Sequence, residues 1–303
     1  MLFSDTSILS LYYNNKKEVT VHNQLQLLFI RIYFTIVSYL FPSFAAKSAY
    51  RLFHYPINST RKNRHEKTLP KAKHFSIPLY DKVSLQGYQW GNEENPIVLL
   101  VHGWSTTGRS MSHFTESLLK NNYQVITYDA LRHGRTKAKL SDLANWADSV
   151  HAVLNHIGNV ECIIAHSFGC AAVTVASELG LATKKLVFIA PIHNVTSVSN
   201  NFAKHLNIPE HVVEEMLTYT WNQNKQGFEK YGKDLEDIFY SNFHVPTLLF
   251  HDTKDKEIGI EHSHALSQKW TWATLVQTEG LGHRSILDDD DVVKETLLFI
   301  QAP

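Results

Sequence analysis

The sequence predicts an α/β fold: a mostly parallel central sheet with helices on both faces, plus a small helical cap. Three observations predict it. From about residue 74, short apolar runs alternate with helical stretches. The inner runs are largely apolar, and Ile97–Val101 is so throughout, as expected of strands buried on both faces of a parallel sheet. One interval, from Pro191 to Pro246, breaks the rhythm. It has helical character and no strand, and a structureless loop of that length is improbable.

The elements follow in order. Residues 1–73 form an N-terminal extension, and residues 74–303 form the α/β domain. Within the extension, Leu25 to Ala46 is strongly apolar but is interrupted by Arg31 and Pro42. The run approaches the roughly 20 residues of a membrane span. Arg31 would be costly near a bilayer centre, and Pro42 breaks a helix. Two helices over residues 24–53 are therefore expected, either packed on the domain or lying as a peripheral contact on a membrane surface. Beyond Pro42, Ser43, Lys47 and Arg51 fall on one stripe at spacing four, and Phe44, Ala45, Ala49 and Leu52 fall on another, interrupted only by Ser48. The basic stretch from Arg61 to Lys73 reads as a solvated linker. No cleaved signal peptide is expected, because Lys16 and Lys17 lie far inside the chain and Arg31 interrupts the apolar run. A cytoplasmic protein with membrane association limited to residues 24–53 is the expectation.

Phe75–Leu79 and Val83–Gln89 open the sheet. Ile97–Val101, Gln124–Tyr128, Glu161–Ala165, Leu186–Ala190, Thr247–His251 and Ala273–Gln277 continue it. Helices are expected at Ser112–Asn121, Ser141–His156, Phe168–Gly180, His262–Trp270 and Asp291–Ile300. The cap is expected at about 193–245, after the sixth strand. Its clearest helix is Pro209–Asn222, with proline first and Glu210 and Glu214 in the early turns.

Composition removes several function classes. The 29 basic and 29 acidic residues sum to zero, so there is no electrostatic footprint for nucleic acid. Cys162 and Cys170 lie in apolar surroundings and read as small buried hydrophobes. The 18 histidines are scattered without a ligand spacing, so neither a metal nor a cofactor is expected.

Four short stretches carry chemistry. Ala165-His-Ser-Phe-Gly169 follows an apolar strand and precedes a helix rich in Ala and Val. A serine on so tight a turn needs small neighbours two places away on each side, and Ala165 and Gly169 meet that need. The turn would lift Ser167 to a helix N-terminus, where free N–H groups favour a developing anion. His102-Gly103-Trp104 ends the third strand. The N–H groups of Trp104 and Phe168 would form an oxyanion hole, and His102 would hold the loop. Leu281-Gly-His-Arg284 follows the last strand and offers His283 as the base. The turn after Thr247–His251 holds Asp252 and Asp255, one of which would orient His283. The four aspartates Asp288 to Asp291 read as a helix N-terminus.

Residues 75–301 resemble the α/β-hydrolase superfamily, in particular small bacterial-type serine hydrolases or esterases with a short helical cap. The stretches that carry the resemblance are Val-His-Gly-Trp at 101–104, Tyr-Asp-Ala at 128–130 with His-Gly at 133–134, Ala-His-Ser-Phe-Gly at 165–169 and Gly-Leu-Gly-His-Arg at 280–284. The resemblance implies Asp255 as the acid, although Asp252 stands where that superfamily usually has glycine. It says nothing definite about the N-terminal extension.

The expected chemistry is cleavage of a small-molecule carboxylic ester or thioester through an acyl-enzyme on Ser167. The same site would serve an acyltransferase, and a non-catalytic hydrolase-like binding protein is a further alternative. The cap is expected to shape the substrate pocket through Met216 and Trp221, with Trp104 beside the nucleophile. Glu210, Glu214 and Glu215 are not gathered with arginines, so an uncharged, medium-length or aromatic acyl group is expected.

Overall fold

The computed structural model describes residues 21–56, 69–139, 141–231 and 244–303. The expected linker residues Arg61 to Lys67, and residues 232–243 of the expected cap, lie outside the described residues. In chain order the elements are α1 (Val21–Leu40), α2 (Pro42–Phe53), β1 (Lys73–Tyr80), β2 (Val83–Trp90), β3 (Ile97–Val101), α3 (Ser112–Lys120), β4 (Gln124–Asp129), α4 (Leu143–Ile157) and β5 (Val160–His166). There follow α5 (Phe168–Ala176), β6 (Thr183–Ile189), α6 (Val195–Leu206), α7 (Glu210–Glu229), β7 (Thr247–Asp252), α8 (Glu261–Lys269), β8 (Ala273–Thr278), the single turn α9 (Gly282–Ser285) and α10 (Asp290–Gln301). They divide into two compact units: Met1–Ser59 with Asn194–Gln226, and Thr60–His193 with Gly227–Pro303.

The larger unit holds one eight-stranded sheet in the order β1-β2-β4-β3-β5-β6-β7-β8. β1 and β2 form an antiparallel hairpin, with Lys82 in left-handed backbone at its turn. β2 pairs antiparallel with β4, and every later pairing is parallel. All eight expected strands form. The inner strands β3 to β7 are buried along most of their length because helices cover both faces, whereas the edge strand β8 is only partly buried. On one face, Leu100, Ile164, Val187 and Phe250 pack with Phe114 of α3 and Val292, Val293 and Ile300 of α10. Lys185 reaches the end of α10 and donates its ammonium hydrogens to the carbonyls of Phe299 and Ile300 at 3.0 Å. That contact satisfies carbonyls which a helix C-terminus leaves without intrahelical partners.

Caps end or begin these helices where the sequence changes character. Asp142 caps α4 by accepting from the Asn145 N–H, and Asp289 caps α10 by accepting from the N–H groups of Asp291 and Val292. The acidic run Asp288 to Asp291 is thus a helix start.

In the smaller unit, α1 and α2 pack with α6 and α7. Ile30, Phe34, Ala45 and Ala49 form one buried cluster with Phe202, Leu206, Val212 and Met216. Phe41 alone separates α1 from α2, and Pro42 opens α2 at the first helical position, where its missing N–H costs nothing. Arg31 does not stand free on α1, because its Nε–H donates to the His205 carbonyl at 2.9 Å. The N-terminal helices and the inserted helices therefore bury each other, which the sequence reading, treating them as separate additions, did not anticipate. Among the described residues, no helix is long and apolar enough to cross a membrane.

Candidate active site

The topology of the larger unit creates a crevice before any side chain is considered. β4 lies on one side of β3 and β5 on the other, so the chain changes direction there. Loops leaving the carboxyl ends of β3 and β5 diverge at such a switch point, and ligand sites form between them.

Ser167 occupies the turn between β5 and α5 with φ 53° and ψ −118°. Left-handed backbone is costly for a residue with a Cβ, so the surroundings must hold it there. The Ser167 N–H bonds to the Ile189 carbonyl at 2.9 Å, and its own carbonyl accepts from Cys170. Gly169 permits the turn: a Cβ there would lie 2.5 Å from the His102 carbonyl oxygen and 2.8 Å from that of Val101. Gly103 has the same role from the other side, since its Cβ would lie 3.2 Å from Ser167 Cβ. The loop carrying Trp104 thus lies directly against the turn carrying Ser167.

His283 and Asp255 arrive from the ends of β8 and β7. His283 Nε2 is 3.0 Å from Ser167 Oγ, and His283 Nδ1 is 2.7 Å from Asp255 Oδ2. The carboxylate accepts the Nδ1–H, which leaves Nε2 to accept from the serine hydroxyl. Asp255 Oδ1 accepts from the N–H groups of Glu257 and Ile258 at 2.8 and 3.0 Å. Burial pushes the Asp255 carboxyl up, but the His283 charge and the hydrogen bonds from His283 and the Ile258 N–H outweigh it. The result is a carboxyl held well below the usual range. Burial by contrast pushes His283 down, but the Glu257 and Asp255 charges and the hydrogen bond to Asp255 outweigh it and raise its pKa.

Asp252 sits elsewhere in this network. It is fully buried and accepts from Thr278 Oγ1 and Leu281 N at 2.9 Å, and from Lys254 N at 3.0 Å. It ties the end of β7 to the loop that carries His283, and the hydrogen bonds lower its carboxyl against the raising effect of burial.

Several supporting residues gave no separate signal in the sequence. His166 donates its Nε2–H to the His283 carbonyl at 2.9 Å. Burial and the nearby His283 charge keep its ring neutral. His251 lies 3.6 Å from Asp255 Oδ2 and contacts Ser263 Oγ through Nδ1 at 2.6 Å. Glu257 and Arg284 form an ion pair at 3.2 Å. Their trace in the sequence is proximity: His166 and Arg284 adjoin Ser167 and His283, and Glu257 stands two places after Asp255.

His102 holds the β3 loop: its Nε2 accepts from Ala130 N at 3.0 Å, and its Nδ1–H donates to the Gly103 carbonyl at 2.7 Å. His133 supports the same loop by accepting from Ser105 N. The Trp104 ring is half-buried and meets Phe168 edge-on at 5.1 Å. Trp221 is half-buried in α7. Met216 departs from expectation: it is fully buried in the cluster of the smaller unit, against α1 and α2, so its side chain is not available to a substrate. The apolar residues of α7 around Met216 pack in one cluster with residues of α1 and α2.

Among the described residues, no group of three or more His, Cys, Asp or Glu is arranged to hold a metal ion.

Known proteins bear on this arrangement in three ways. The alpha/beta hydrolase family matches residues 98–296. A bifunctional esterase/perhydrolase of Acinetobacter calcoaceticus is 27% identical over 92 residues, covering 29% of this chain and 33% of that protein. The match thus spans about a third of that relative's length. Solved structures share the fold. The esterase Pf2001 of Pyrococcus furiosus is 16% identical and covers 81% of this chain and 98% of its own, with a TM-score of 0.60. Est1E of Butyrivibrio proteoclasticus, solved with ferulic acid bound, is 20% identical, covers 76% of this chain and 100% of its own, and has a TM-score of 0.57.

Proposed function

The chain belongs to the alpha/beta hydrolase family, and from that premise we propose that it hydrolyses carboxylic esters or thioesters through an acyl-enzyme on Ser167. The single observation that carries the proposal is the hydrogen-bonded series Ser167 Oγ, His283 and Asp255 at 3.0 and 2.7 Å. It lies where loops from four strand ends converge.

As Ser167 Oγ attacks the carbonyl carbon, its proton passes to His283 Nε2. Asp255 keeps the Nδ1–H and stabilises the imidazolium. The carbonyl oxygen becomes an oxyanion that accepts from the backbone N–H groups of Trp104 and Phe168. Collapse of this intermediate breaks the bond to the leaving alcohol or thiol, which takes the proton from Nε2. Water then attacks the acyl-enzyme, giving its proton to the same nitrogen, and the acid is released as the bond to Ser167 Oγ breaks and Nε2 returns the proton to that oxygen.

The half-buried rings of Trp104 and Phe168 favour an uncharged acyl group. Arg284 is paired with Glu257, so it is not offered to an anionic substrate. The ferulic acid bound to Est1E adds aromatic acyl groups to the range worth testing. A panel of p-nitrophenyl esters of increasing acyl length, with a feruloyl ester, an acyl thioester and a succinate half-ester, tests the reading. Saturable turnover of the neutral members is expected, with the charged half-ester slow. No turnover of any member by the wild type would reject it.

A further inference from the structure

The smaller unit carries an apolar surface that its own core does not use. α1 buries Ile30 and Phe34 among neighbouring helices, yet Leu25, Phe29, Ile32, Ile36, Tyr39 and Leu40 are exposed. These positions recur at intervals of three and four, so they form one stripe along the helix. Phe29 is 67% exposed, Ile36 52% and Tyr39 81%. Phe41, between the two helices, and Phe44, in the first turn of α2, are also exposed. A contiguous apolar patch of this extent marks an interaction surface.

Three features select the partner. First, polar groups along the stripe are satisfied inside the protein. The Thr35 hydroxyl donates to the Arg31 carbonyl at 2.8 Å, and Arg31 itself is turned toward the His205 carbonyl. The Thr35 hydroxyl therefore offers no unpaired donor to an apolar medium, and Arg31 gives its Nε–H to a neighbouring helix. Second, the sequence from Val19 to His65 contains no acid but holds Arg31, Lys47, Arg51, Arg61, Lys62 and Arg64, in a chain whose net charge is zero. Lys47 and Arg51 are exposed and share the face of Phe44, at intervals of three and four. Third, the opposite face of α1 is occupied by protein, and the helix does not meet the requirements of a span.

We propose that this face seats the protein on an anionic phospholipid surface, with α1 lying along the membrane plane. Its apolar stripe enters the boundary between headgroups and acyl chains, and Lys47 and Arg51 meet the headgroup phosphates. An aromatic cluster at the bend, Tyr39, Phe41 and Phe44, suits that depth. The inference is independent of the chemistry at Ser167.

The test is sedimentation of the full chain with vesicles of phosphatidylcholine alone and of phosphatidylcholine mixed with phosphatidylglycerol. Binding is expected to favour the anionic vesicles and to weaken with salt. The double variant Phe29→Ser, Ile36→Ser should weaken it at least about tenfold. Both residues are exposed, so the melting curve should not change. Lys47→Gln and Arg51→Gln should each cost about fivefold on anionic vesicles and little on neutral ones. Absence of wild-type binding to either vesicle, or equal binding by wild type and the double variant, overturns the proposal. A concentration-dependent dimer that Phe29→Ser abolishes, without vesicle binding, would assign the face to a second copy and also overturn it.

Discussion

Asp255 Oδ2 lies 2.7 Å from His283 Nδ1, while the neighbouring Asp252 directs its carboxylate to Thr278 and Leu281 at 2.9 Å. Two aspartates on one turn therefore hold the same histidine in different ways. Asp255 fixes the imidazole itself, and Asp252 fixes the loop that carries it.

Their variants should separate accordingly. Asp255→Asn is expected to lower turnover by about 10⁴, because an amide favours the wrong imidazole tautomer. Asp252→Ala leaves several donors without an acceptor and should cost on the order of 3 kcal/mol of stability. Urea unfolding beside steady-state kinetics reads both. The reverse ranking in turnover would move the acid to Asp252.

The strain at Ser167 is also measurable. Its φ of 53° suits glycine better than any residue with a Cβ. Ser167→Gly should therefore be more stable than Ser167→Ala by about 1 kcal/mol. Both should lose turnover by about a millionfold. Equal stability of the two variants would mean that the turn stores no strain.

The pH profile follows from His283. It must be neutral to accept the serine proton, so activity rises with pH through its pKa. Because Glu257 and Asp255 raise that pKa despite burial, the acid limb of kcat/KM should lie on the high side of an ordinary histidine's range. Glu257→Gln removes a raising charge and should shift the limb downward. An unmoved or upward-shifted limb would show that Glu257 does not act on His283.

Gly169 should tolerate nothing larger. Its missing Cβ would strike two backbone carbonyls of the β3 strand end, neither of which can rotate away. Gly169→Ala is expected to lose on the order of 3 kcal/mol of stability. Thermal melting with an unchanged midpoint would contradict the tight packing of this turn.

Much of this was legible because the relevant signals are local. Buried parallel strands announce themselves as continuous apolar runs, and the tight serine turn demands small residues at 165 and 169. The pairing of Ser167 with His283 spans the domain, yet chain order and strand ends suffice to suggest it. What was not legible depends on packing at a distance. Nothing near Met216 in the chain indicates that Ile30 and Phe34 cover it. The division of labour between Asp252 and Asp255 likewise rests on where Thr278 and Leu281 fall, which the strand register decides.

The most direct measurement of the central claim is covalent labelling by a fluorophosphonate, read by intact mass and peptide mapping. The account predicts one adduct per chain, on Ser167, fast in the wild type and slowed strongly in His283→Ala. An unlabelled wild-type protein, or an adduct on another residue, would contradict it.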